Sequence, residues 1–300
     1  MLKIAFHPIY KHPLPSGHRF PMEKYEMLPQ QLIHEGTCTE DNFFEPEKPN
    51  DKHILAVHAP DYYYDLVNLT LNKRAARKIG FPLSSSLVKR ELFIADGTIK
   101  ASKYAIEHGI AMNIAGGTHH AFSNRGEGFC LLNDQAIATR YLQSYKLAKK
   151  ILIVDLDVHQ GNGTAEIFNN DASVFTFSMH GKSNYPFKKE NSDLDIDLDD
   201  DTDDETYLSK LKSTLPKLIK LHQPDFIFYL CGVDVISSDK LGKLSLTVAA
   251  CKERDRIVLA QCKSQNIPVM CSMGGGYSPD INTIINAHAN TFRMAKNIFF

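Results

Sequence analysis

Residues 151–168 read ILIVDLDVHQGNGTAEIF, and this stretch decides the fold. Four apolar residues, Ile151, Leu152, Ile153 and Val154, run consecutively and open onto Asp155, Asp157 and His159, with Gly161 and Gly163 just beyond. A strand apolar at consecutive positions, not alternate ones, is covered on both faces, as in a parallel sheet between helices. If the extended conformation persists past the apolar run, residues 155, 157 and 159 project to one side.

Segments of the same kind recur: LKIAF (2–6), ILAVHA (54–59), AMNIAG (111–116), SVFTFSM (173–179), FIFYLCGVD (226–234) and PVMCSMGGG (268–276). Between most of them lie stretches that read as helices, at 97–110 after Asp96-Gly97, 134–148, 205–222, 247–265 and 279–297. In 205–222, Tyr207, Leu208, Leu211, Leu215, Leu218 and Ile219 recur at three- and four-residue intervals and form one apolar stripe, with Pro216 a kink point. The stretch DLDIDLDDDTDDE (193–205) alternates Asp with Leu and Ile, then turns wholly acidic. It reads as an exposed edge strand running into a helix cap. The pattern predicts an α/β fold, a mostly parallel sheet with helices on both faces. No repeat or linker divides the chain, so a single domain over 1–300 is expected.

Composition narrows the function. Apolar residues make up 43%, enough for a sizeable core, and the net charge is −1 with no basic block, so no direct nucleic-acid binding is expected. No apolar run approaches the ~18 residues of a membrane span. The opening MLKIAFHPIY does not read as a signal peptide. Six scattered cysteines without a CxxC pair predict reduced, buried thiols and a cytoplasmic location.

In open parallel sheets, ligands sit beyond the carboxyl ends of the strands. Four predicted exits carry reactive side chains: His119 and His120; Asp155, Asp157 and His159; Asp234; and Tyr277. Any one of these alone is an ordinary cap or turn residue; four together point to a shared site. Asp157 and His159, completed by Asp234, make a set of N and O donors for one ion. Three protein ligands leave a position for water or substrate, the mark of catalytic zinc, and ferrous iron accepts the same set. Asp155, one step deeper, is placed to orient a histidine. His7, His18, His53, His58, His180, His222 and His288 read as structural. The His7–Pro21 stretch, rich in Pro, His and Gly, reads as a loop that lines a rim.

GGTHHA (116–121), GEGFCLLND (126–134), DLDVHQGNGT (155–164), GVD (232–234) and GGGY (274–277), in this order, resemble the histone deacetylase superfamily. The resemblance runs from about His7 to the last helix. The HQGNG form, the short length and GFPLSSSLVKRELFIADGTIKA (80–101) look most like the class IV enzymes and their bacterial relatives. It implies the arginase/deacetylase fold, a three-layer α/β/α arrangement around a sheet of about eight strands. It also implies roles. Asp157, His159 and Asp234 match the zinc ligands, His120 the general base and then acid, and His119 its neighbour, held by Asp155. Tyr277 matches the donor to the carbonyl oxygen. Gly128 and Phe129 match one wall of an acyl-lysine tunnel, and Tyr185 the opposite wall. A structural potassium would use Asp155, Asp157, His159, Ser178 and Met179, and a second cation would lie near Phe168, Asp171 and Val174. Many class I enzymes have an aspartate where this chain has Asn162, and an amide there favours a neutral His120.

The reaction so implied is hydrolysis of the N-ε-acyl amide of lysine, acetyl or longer, in proteins or peptides. The alternative substrate is a small acylated amine such as an acetylpolyamine. Two other readings are an acyl-lysine reader on an inactive site and an arginase-like two-metal hydrolase. The second wants more carboxylates than the single Asp234 that its strand supplies. The oligomeric state is left open.

Overall fold

In the computed structural model, which describes residues 1–300, eight strands form one sheet and every pairing is parallel. The strands are β1 (Lys3–Ala5), β2 (Phe43–Phe44), β3 (Ile110–Asn113), β4 (Ile151–Asp155), β5 (Val174–Gly181), β6 (Leu194–Leu198), β7 (Phe226–Leu230) and β8 (Val269–Ser272). Their order is β2-β1-β3-β8-β7-β4-β5-β6. Every residue of β3, β4, β7 and β8 is buried, which is why their sequences are apolar without alternation. The outermost strand β6 is half-exposed and pairs only with β5, in agreement with the alternating Asp pattern.

Ten α-helices cover the sheet: α1 (Lys24–His34), α2 (Asp51–Leu55), α3 (Pro60–Asn68), α4 (Lys73–Ile79), α5 (Ser85–His108), α6 (Asp134–Ser144), α7 (Asn162–Ile167), α8 (Asp204–His222), α9 (Val248–Ser264) and α10 (Ile281–Phe299). One layer joins α2, α3, α5 and α6; in the other, α9 packs between α8 and α10, and α10 against α1. The stripe of α8 is buried at Tyr207, Leu211, Leu215, Leu218 and Ile219, and the helix continues through Pro216. All six cysteines are free and buried.

Two expectations fail. ILAVHA is no strand: Asn50 accepts from the Lys52 amide, caps a short helix over Asp51–Leu55, and the chain then turns through His58. Helix α5 starts at Ser85, twelve residues ahead of the expected start, because Ser84 is its cap and accepts from the Leu87 amide. Gly97 lies mid-helix, where the Tyr10 hydroxyl and Asn113 approach so closely that a Cβ would collide with them.

Candidate active site

The register levels the exits. Asn113 pairs with Ser272, Ser272 with Leu230, Leu230 with Asp155, and Asp155 with Ser178. From β4 the chain steps outward through β5 to β6; from β7 it steps the other way to β8. The two connections diverge at the β4–β7 boundary and leave a crevice there, the place where such sheets bind ligands.

Asp157, His159 and Asp234 meet in this crevice, all buried, with one ligand atom from each within 4.8 Å of the others. His159 Nδ1 lies 2.9 Å from Asp157 Oδ1 and 3.2 Å from Asp234 Oδ2. The remaining oxygens are fixed by backbone: Asp157 Oδ2 accepts from the Gly275 amide at 2.8 Å, and Asp234 Oδ1 from the Val158 amide at 3.0 Å. Asp234 Oδ2 is buried and makes no well-aligned hydrogen bond, with only His159 Nδ1 beside it at 3.2 Å. A buried carboxylate oxygen so poorly satisfied is costly unless a cation meets it. Burial and the neighbouring Asp157 push the Asp234 carboxyl up. Burial opposes charge on His159, yet the two carboxylates outweigh it and hold the imidazole above its ordinary value. The pocket thus favours positive charge at its centre, and its donor set fits a divalent ion. Gly275 admits the cluster, since a Cβ there would strike Asp234 Oδ2.

The two histidines are held from behind. Asp155 Oδ2 lies 2.6 Å from His119 Nδ1, and Asp155 Oδ1 accepts from the Asp157 amide at 3.1 Å. Burial opposes charge on His119, but Asp155 outweighs it and raises the pKa. His120 Nδ1 lies 2.7 Å from Asn162 Oδ1. Burial, then the charges of His119 and His159, press the His120 pKa well below the usual histidine value. The two rings sit 4.1 Å apart, and His120 is 5.9 Å from His159.

A narrow cavity reaches these groups, lined by His119, His120, Asp157, His159 and Tyr277 and walled by Phe20, Phe81 and Phe129. Gly128 lines it too. Tyr185 stands edge-on to His120 at 4.9 Å, its hydroxyl donating to Glu127 at 2.7 Å, but is not among the lining residues. Burial, then Asp234 and Asp157, push the Tyr277 phenol well up, so it stays a donor. Residues 11–22 line a surface groove beside Tyr277, and Phe20 from this loop forms cavity wall.

The residues matched to cations fall in two places. Asp155, Asp157, His159, Ser178 and Met179 lie at the adjoining ends of β4 and β5, where Ser178 Oγ is 2.9 Å from His180 Nδ1. Phe168, Asp171 and Val174 run from the end of α7 to the first residue of β5, and the Asp171 carboxylate is engaged by Arg140 at 2.6 Å.

Sequence reasoning missed the supports. Asp239 Oδ2 accepts from the Tyr277 amide at 2.6 Å. Asp134 Oδ1 accepts from the Thr118 amide at 2.9 Å, bracing the histidine turn. Fully buried Arg254, on α9, donates to the carbonyls of Leu156 at 3.2 Å, Gly232 at 2.5 Å and Cys231 at 3.2 Å, clamping the two exits that carry the cluster. The adjacent Arg-Asp pair at 254–255, inside an apolar helical face, was the available signal. Lys24 and Phe20 carried none.

A family model described as the histone deacetylase domain matches residues 18–292. An uncharacterized protein of Picosynechococcus sp. is 45% identical over 296 residues, 99% of each chain. Histone deacetylase 2 of Arabidopsis thaliana is 30% identical over 271 residues, 87% of this chain and 70% of that one. Histone deacetylase 1 of Homo sapiens is 28% identical over 88% of this chain, which spans 58% of the human protein. Among solved structures, the HDA15 HD domain superposes with a TM-score of 0.83 at 19% identity, over 99% of this chain and 88% of that one. An HDAC homolog complexed with SAHA superposes with a TM-score of 0.84 at 23% identity, over 99% and 84%. With its motifs gathered at one crevice and a matching family model along most of its length, the chain belongs to the histone deacetylase family of amide hydrolases.

Proposed function

We propose that this chain hydrolyses the N-ε-acyl amide of lysine in proteins or peptides, acetyl or longer, using one divalent ion held by Asp157, His159 and Asp234. Zinc is the ion proposed, with ferrous iron the other that this donor set accepts. The observation that carries the reading is the buried Asp-His-Asp cluster at the cavity that His120 and Tyr277 also line. Phe20, Phe81 and Phe129 give this cavity apolar walls, suited to a methylene stem that carries its polar amide inward.

Held by Asp157, His159 and Asp234, the ion would supply Lewis acidity to the amide carbonyl and to a water. His120 Nε2 would take a proton from the attacking water and return it to the departing lysine amine. The Tyr277 hydroxyl donates to the oxygen on which negative charge develops. Asp155 holds the His119 ring in one orientation. The products are the free amine and a carboxylate. The reading includes structural potassium at Asp155, Asp157, His159, Ser178 and Met179, and a second cation near Phe168, Asp171 and Val174.

The test is kcat/KM for purified protein, stripped of metal and refilled with zinc, on lysine peptides acylated from acetyl to myristoyl. Acetylpolyamine is included as a competitor. Turnover of at least one peptide supports the proposal. No turnover at any acyl length overturns it, and a preference for acetylpolyamine replaces acyl-lysine with the small-amine substrate.

A further inference from the structure

Lys24 opens helix α1 and is fully buried, with Nζ 5.1 Å from the ring centre of Phe20, 5.5 Å from that of Tyr25 and 5.6 Å from that of Tyr277. Its one hydrogen bond goes to the carbonyl of Gly274, at 3.2 Å, in the glycine turn that leads to Tyr277. We propose that Lys24 is a positioning residue for Tyr277: its caged ammonium ties the turn and the tyrosine ring in the orientation that serves catalysis.

Stability does not account for a lysine here. An ammonium offers three donors, and this one has a single acceptor and no ion pair. Burial of a charge so poorly compensated is unfavourable. A cation in the first turn of a helix also opposes the helix dipole. Burial accordingly draws the Lys24 pKa down to about 8, while Asp234, Asp157 and Asp239 on the site side pull it back up and Arg90 from α5 adds to the lowering. Burial and then the Lys24 charge lower the pKa of His288 on α10.

What the ammonium touches explains it better. Tyr277 is pinned at its amide by Asp239, and its ring meets Phe20 at 5.9 Å and Phe129 at 6.2 Å. Those rings supply apolar contact but no directional hold. Lys24 grips the turn through Gly274 and the ring through its π cloud, from one point. A positive charge beside the phenol also favours donation toward a developing oxyanion.

The inference rests on the proposed role of Tyr277, and four proteins test it: wild type, Lys24→Met, Tyr277→Phe and the double variant, each zinc-loaded. Lys24→Met is expected to lose roughly 10- to 100-fold in kcat, the scale of a misplaced catalytic group, with KM little changed. Its Tm is expected to hold or rise. In the Tyr277→Phe background, Lys24→Met is expected to add no further loss. A crystal structure of Lys24→Met is expected to show the Tyr277 ring displaced. Unchanged kcat with Tyr277 in place overturns the inference. So does a lowered Tm with an equal loss of kcat in both backgrounds, which marks a merely structural residue. If wild type hydrolyses no acyl amine, the proposed function fails by itself, and the position of Tyr277 in the variant crystal still decides the matter for Lys24.

Discussion

Asn162 Oδ1 accepts from the Gly163 amide at 3.1 Å and meets His120 Nδ1 at 2.7 Å. A backbone amide only donates, so the shared atom is the oxygen, and His120 Nδ1 carries the hydrogen. The tautomer follows: Nε2 is the bare nitrogen and the one able to take a proton.

Asn162→Asp puts a negative charge behind that ring and favours imidazolium, raising the His120 pKa. The base works only when neutral. The acid limb of the kcat/KM profile is therefore expected to move to higher pH by about one unit or more. Profiles of the two zinc-loaded proteins on one acyl-lysine peptide check this, and coincident acid limbs count against His120 as the base.

Tyr277→Phe removes a single hydroxyl and keeps the ring that packs against Phe20 and Phe129. The expected loss is about 10²–10³ in kcat, the scale seen when one oxyanion donor is removed. Steady-state kinetics with a thermal melt check it; a large drop in Tm would point to packing instead.

Arg254 forms a fully buried pair with Asp255 at 2.8 Å, and Asp255 also accepts from the Tyr229 hydroxyl at 2.5 Å and the Thr291 hydroxyl at 2.7 Å. Arg254→Met leaves that carboxylate short of a cation and three carbonyls without their donor, at an expected cost of about 3–5 kcal/mol. Urea unfolding measures it. Chelator competition is expected to show weaker zinc binding as well, since the carbonyls so released flank Asp157 and Asp234.

His58 is buried and neutral, with Nδ1 donating to the Phe122 carbonyl and Nε2 accepting from the Asn133 amide, each at 3.0 Å. Burial lowers its pKa from 6.5 to about 4. Between those values the unfolded chain binds more protons than the folded one, so stability rises with pH. The contribution is complete above 6.5 and is lost as pH falls toward 4, by at most about 3 kcal/mol. Urea midpoints at about pH 7.5 and about pH 4.5 check the slope, and His58→Gln is expected to flatten it.

Legibility in the sequence followed the range of the forces involved. Consecutive apolar runs marked β4, β7 and β8 because each is buried on both faces, and the polar residues at their exits stood out against that background. ILAVHA has the same composition but lies behind an Asn50 cap, so a local hydrogen bond decided for helix over strand. The ligand cluster was readable since Asp157 and His159 share one strand exit. Lys24 was not, because its partner Gly274 lies 250 positions away and nothing near Lys24 distinguishes it from a surface lysine. Asp239 follows Asp234 by five residues, yet only the folded loop shows it turned back to the Tyr277 amide.

Strand β6 leaves one whole flank of backbone amides and carbonyls without a neighbouring strand. Open flanks of this kind recruit further chains into fibrils unless charge keeps them apart. Asp197 and Asp199 stand largely exposed at this rim, 54% and 90% by side chain. Two copies meeting there would set carboxylate against carboxylate. The acidic tract thereby guards against aggregation, and replacing those aspartates with neutral residues of high β-propensity would remove the guard.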